Sequence, residues 1–162
     1  MAAISHENSD LMANILANPP LRNERWKSKA YTYRDYFSAV RAAAGGAGSY
    51  FRLAKLPAGA MLVLGDSKVM HSDWDGTVTA VFGWEEYIGP DGTVYAANTD
   101  GLLTGLDLSG QASTAGIYLS TGTIVADYKI FEGPAVIVAE VAGGDVPLAA
   151  TLQGWLTYAM PH

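Results

Sequence analysis

The chain has 162 residues, the span of one ordinary domain. Hydrophobic residues make up 49% and charged residues 16%, which excludes general disorder, a state that needs little apolar content and much charge. Cysteine is absent, so disulfides, thiolate nucleophiles and cysteine-ligated metals are excluded, and the net charge of −6 argues against nucleic acid as a partner.

In chain order, Ser9-Asp10 predicts a cap for a short helix through Leu11, Met12, Ile15 and Leu16, stopped by Pro19-Pro20. Leu21 to Lys29 has mixed charge and no period, which predicts an extended arm. Tyr31, Tyr33, Tyr36 and Phe37 then cluster, and Ser38 to Ala44 is helix-capable. Gly45-Gly46-Ala47-Gly48 breaks the pattern and sets the expected boundary between an N-terminal arm, residues 1–49, and a body, residues 50–162.

From Tyr50 the pattern becomes strand, turn, strand. Tyr50 to Leu56 ends at Pro57-Ala58-Gly59, and Ala60 to Leu64 is a short apolar run ended by Gly65-Asp66. In Thr77 to Tyr87, Val78, Ala80, Phe82 and Trp84 fall on one face. Pro90-Asp91-Gly92 is a turn, followed by a loose stretch through Asn98-Thr99-Asp100-Gly101. Ile117 to Leu119, the alternating run from Ile124 to Ile130, Ala135 to Val141 and Thr151 to Met160 complete the set. In the last of these, Leu152, Leu156 and Tyr158 share one face, with Gln153, Trp155 and Thr157 on the other. Short strands at this spacing, with no long helical pattern between them, predict an all-β body. Its form is an antiparallel β-sandwich or jelly-roll-like barrel, with an extended, partly helical N-terminal arm.

The net charge hides an asymmetry. Residues 1–55 hold eight basic residues against four acids, a balance of +4, and the rest holds two lysines against twelve acids, a balance of −10. The basic segment marks Arg22, Arg25, Trp26, Lys27, Lys29 and Arg34 as the expected partner-binding residues. The first ten residues lack the basic and apolar regions of an export signal, and no apolar run approaches the roughly 18 residues that span a bilayer. The expectation is a chain that contacts neither membrane nor nucleic acid.

Catalytic patterns are sparse. Asp73 and Asp75, two apart before Gly76, are candidate cation ligands, and His71 with Asp66 or Asp73 is a thinner alternative. A calcium loop needs further oxygens at fixed spacing, and a solvated acidic turn is the commoner fate of such a pair. Glu85 and Glu86 are adjacent acids expected on opposite faces of a strand, so no catalytic residue and no cofactor is assigned. Trp74 and Tyr87 could serve as stacking platforms for a sugar, which gives a carbohydrate-binding module as the alternative class.

The segment order from Tyr50 to Tyr158 resembles small all-β virion proteins of tailed phages, of the head-decoration type. The resemblance rests on Arg52 to Gly59, with its Leu56-Pro57-Ala58-Gly59 turn, and on Thr77 to Trp84. It continues through Asp91-Gly92-Thr93, Thr99-Asp100-Gly101, Ala115-Gly116 and the closing strand Thr151 to Tyr158. It implies a non-enzymatic structural protein that binds the outer face of a phage capsid and stabilises it as a cement. The implied partners are the major capsid protein and copies of the chain itself, often as a trimer around a symmetry axis. The implied place is the virion, after assembly in the bacterial cytoplasm. A head–tail connector, tail or spike component is the neighbouring alternative.

Overall fold

The structure is a computed structural model that describes residues 6–8, 26–27, 32–42, 44–74, 76–109, 112–126 and 129–160. Its strands in chain order begin with β1 (His6–Asn8), β2 (Trp26–Lys27), β3 (Thr32–Val40), β4 (Tyr50–Leu56) and β5 (Met61–Leu62). There follow β6 (Lys68–His71), β7 (Thr79–Trp84), β8 (Tyr87–Ile88), β9 (Val94–Tyr95) and β10 (Asn98–Asp107). The last four are β11 (Ser113–Tyr118), β12 (Thr123–Ile124), β13 (Ala135–Ala142) and β14 (Thr151–Ala159). Two short 3-10 turns, η1 (Leu64–Asp66) and η2 (Leu119–Thr121), interrupt the run. Among the described residues no helix is long and apolar enough to cross a membrane.

The strands form two large sheets and one small hairpin. The first sheet has the order β1-β4-β13-β7-β10-β12, and the second runs β11-β6-β14-β3-β2 with β5 also paired to β14. All these pairings are antiparallel except that of β1 with β4. The all-β expectation therefore holds, in its sandwich form.

Alternation produces the core. Successive side chains of a strand point to opposite faces, so apolar residues two apart line one side. Phe51 and Leu53 of β4, Phe82 of β7 and Ile137 and Val141 of β13 meet Phe37 of β3, Val69 of β6 and Leu152 and Leu156 of β14 in one buried cluster. The expected inward set Val78, Ala80, Phe82 and Trp84 is buried as a group.

Several stretches differ from the sequence expectation. Of the alternating run from Ile124 to Ile130, only Ile124 belongs to a strand, β12, and Ile130 makes an isolated bridge to Met61, with 127–128 outside the described residues. Ser38 to Val40, read as helix-capable, is the end of β3, which pairs with β14 in register from Thr32↔Ala159 to Val40↔Thr151. Nine cross-strand positions outweigh a weak local helix propensity. Residues 32–40, counted with the arm in the sequence, thus form a strand of the second sheet. Asn98 to Gly101, read as loose chain, opens β10, because Gly83 and Gly101 let this segment pass close to Trp84 and the β7 backbone. His71, read in a turn, ends β6 and faces the interior, edge-on to Trp74 at 5.6 Å between ring centroids. The expected helix from Leu11 to Leu16 lies outside the described residues. β1 and β2 are the described parts of the segment before β3, and each adds an extended edge to one sheet.

Candidate interaction surface

The second sheet presents one face to the core and one to solvent. On β3 the outward residues are Arg34, Tyr36, Ser38 and Val40; on β14 they include Gln153, Trp155 and Thr157; on β6 they are Lys68 and Met70. Pairing aligns four of the outward residues in one row across four strands. Tyr118 of β11 opposes Lys68, Lys68 opposes Trp155, and Trp155 opposes Tyr36. Adjacent strands lie about 4.8 Å apart, so the row is roughly 14 Å wide.

Its members interact as side chains. The Lys68 ammonium stands 4.7 Å from the Tyr118 ring centroid and 5.8 Å from that of Trp155. Trp155 and Tyr36 meet at 6.0 Å with their planes tilted by 52°. The Arg34 guanidinium lies 5.6 Å from the Trp155 ring. Such cation–ring contacts draw on the ring quadrupole and contribute about 0.5–1 kcal/mol at exposed sites. Tyr36 is 50% exposed and Tyr118 45%, which is much open area for aromatic side chains.

One side of the row is anchored by η1. Val63 donates its N–H to the Thr157 carbonyl at 2.8 Å, and Ser67 Oγ accepts the Thr157 N–H at 2.9 Å while donating to the Val63 carbonyl at 2.8 Å. The Asp66 carbonyl accepts both Trp155 Nε1–H at 2.8 Å and the Thr157 hydroxyl at 2.9 Å. Arg34 Nη2 donates to both carboxylate oxygens of Asp66, at 3.0 and 2.9 Å. That hydrogen bond to Asp66 raises the Arg34 pKa further above its already high value. The turn between β5 and β6 is thereby fixed over β14, and Trp155 is held by both its ring and its N–H.

Of the residues expected to bind a partner, Arg34 belongs to this surface. Trp26 and Lys27 form β2, at register positions beside Arg34 and Tyr33. Arg22, Arg25 and Lys29 lie outside the described residues. Tyr36, Lys68, Tyr118 and Trp155 were not marked as a site by sequence. The available signal was a tryptophan on the polar side of an alternating strand.

The other candidates are placed as follows. Asp73 is exposed, Asp75 lies outside the described residues, and among the described residues no three metal-ligating side chains come together. Nδ1 of His71 is 2.7 Å from the Ser72 carbonyl. Glu85 follows β7 and accepts from Arg52 Nε at 2.6 Å, while Glu86 is exposed. Burial, then the Glu85 carboxylate, pushes the nearby Tyr50 phenol up. Trp74 and Tyr87, the expected sugar platforms, are only 2% and 4% exposed. Trp74 stacks on Phe51 at 5.8 Å and Tyr87 on Tyr95 at 4.7 Å, so their faces are taken by the protein itself. Aromatics at a turn read as exposed from local sequence, but long-range packing buried them.

Comparison of the chain with protein-family models, curated proteins and solved structures gave no match.

Proposed function

We propose that the protein is a structural virion component, a decoration protein that binds the outer surface of a phage capsid and stabilises it. The observation that carries this reading is the outward face of the second sheet. Tyr36, Tyr118, Trp155, Arg34 and Lys68 form an open aromatic and cationic surface on paired strands rather than on loops. Tyrosine, tryptophan and arginine are the residues that dominate protein–protein contacts, since they supply large area at low entropic cost. A surface built on a hydrogen-bonded sheet is pre-organised, which suits repeated docking on a lattice where many weak contacts add by avidity. The resemblance of the segment order to head-decoration proteins supplies the phage context, and the basic N-terminal segment supplies a second contact with shell or neighbouring copies. A trimer around a symmetry axis is the assembly this reading favours, with no catalytic step.

Quantifying the chain in purified particles tests the proposal. Hundreds of copies per particle, lost together with resistance of the head to heat or osmotic shock, are the expected result. A dozen or fewer copies reassign the protein to a connector, tail or spike, and its absence from particles overturns the reading.

A further inference from the structure

We infer that the outward face of the second sheet docks on a carboxylate-bearing protein surface, with Lys68 as its central cation; the identity of that partner as a capsid rests on the reading above.

Charge distribution on the sheet carries the inference. The described outward positions of β3, β6, β11 and β14 contain no carboxylate; the one acid in these strands is the buried Asp35. Asp66 reaches the face from η1, but both its oxygens are engaged by Arg34, so that pair is internally neutral. Lys68 makes no ion pair among the described residues and is left as the uncompensated charge. Among the described residues, the exposed acids Asp73, Glu86, Asp91, Asp100, Asp107, Glu132 and Asp145 all lie outside these four strands. An acidic partner therefore meets repelling carboxylates over much of the remaining described surface and the unpaired Lys68 on this face, with Lys55 the exposed lysine of the other sheet.

Local geometry presents the cation. A Cβ at position 116 would stand 2.8 Å from Lys68 Cε and 3.0 Å from Cδ, so the glycine of β11 makes room for the lysine stem. The stem lies across β11 and delivers the ammonium between two rings. The same arrangement weighs against a neutral glycan. A sugar stacks on bare ring faces, whereas Lys68 stands over Tyr118 and Trp155, and Arg34 over Trp155 again.

The test titrates the full chain, isotope-labelled for NMR, with poly-L-glutamate and separately with cellohexaose. Poly-L-glutamate is expected to shift the signals of Tyr36, Lys68, Tyr118 and the Trp155 indole. Lys68→Glu is expected to weaken that response about tenfold, with Lys55→Glu, exposed on the other sheet, leaving it unchanged. Shifts at this face from cellohexaose alone, no shift there with poly-L-glutamate, or an unaltered response in Lys68→Glu each overturn the inference. Re-addition to stripped particles separates the two readings. Equal copy numbers for wild type and Lys68→Glu would remove this inference and leave the capsid reading standing. Poly-L-glutamate binding at the face by a chain that no particle carries would do the reverse.

Discussion

The Trp155 indole donates its N–H to the backbone carbonyl of Asp66 at 2.8 Å, tying an outward ring of β14 to the 3-10 turn that joins β5 and β6. This contact orients the ring in the row with Lys68 and Tyr36 and helps close the polar accounts of the turn. Trp155→Phe keeps most of the apolar surface and removes the donor, while the Asp66 carbonyl still accepts from Thr157. The expected loss is about 1 kcal/mol, read from the urea midpoint at unchanged m-value.

Ser67 and Arg34 both hold the same turn, yet their removal should differ in cost. Ser67 is fully buried, and its Oγ is the acceptor for the buried Thr157 N–H. Ser67→Ala leaves that donor unpaired, an expected cost of about 1–3 kcal/mol. Arg34 and Asp66 are 41% and 49% exposed as side chains, so Arg34→Ala should cost under about 1 kcal/mol, and less at high salt. Equal losses in parallel urea titrations would contradict this account of the turn.

Gly154 is where β14 passes β6 too closely for any side chain. A Cβ there would collide with the Lys68 carbonyl, which belongs to the backbone and cannot swing aside. Gly154→Ala should therefore cost more than the roughly 1–3 kcal/mol of ordinary overpacking and disturb the pairing of Trp155 with Lys68. Thermal unfolding measures the first effect, and the cross-strand amide contacts of these two residues report the second.

Asp91, in the turn between β8 and β9, accepts the Thr93 N–H at 3.0 Å and the Thr93 hydroxyl at 2.7 Å. These bonds, the backbone one foremost, hold its carboxyl below the usual carboxylate range. A group with a lowered folded pKa stabilises above its unfolded value, near 3.9, and that contribution is lost as pH falls through the folded value. Thr93→Val should move the Asp91 midpoint in an NMR titration upward part of the way, because the backbone bond remains. A midpoint unmoved by the substitution would mean that the hydroxyl does not contribute.

The residues that local pattern could reach were those whose fate depends on their own neighbours in sequence. Val78, Ala80, Phe82 and Trp84 announce a half-buried strand by period alone, and the set Leu152, Leu156 and Tyr158 against Gln153, Trp155 and Thr157 anticipates which side of β14 meets the core, except that Thr157 is covered by η1. β6 was not legible: four residues, Lys68 to His71, are too few for a period, and they become a strand because β14 and β11 pair with them. β3 was obscured by its alanine-bearing end, which pairing with β14 overrides.

Sequence by itself determined the all-β class, the turns at Pro57-Ala58-Gly59 and Pro90-Asp91-Gly92, and the separation of a basic N-terminal segment from an acidic remainder. These are properties of composition and short-range order. Only the tertiary structure decided that Trp74 and Tyr87 are core, and that Tyr118, Lys68, Trp155 and Tyr36 share a row. A slip of one residue in any of these pairings would turn a member of the row toward the core, and register between strands distant in sequence is set by the packing of the whole sandwich.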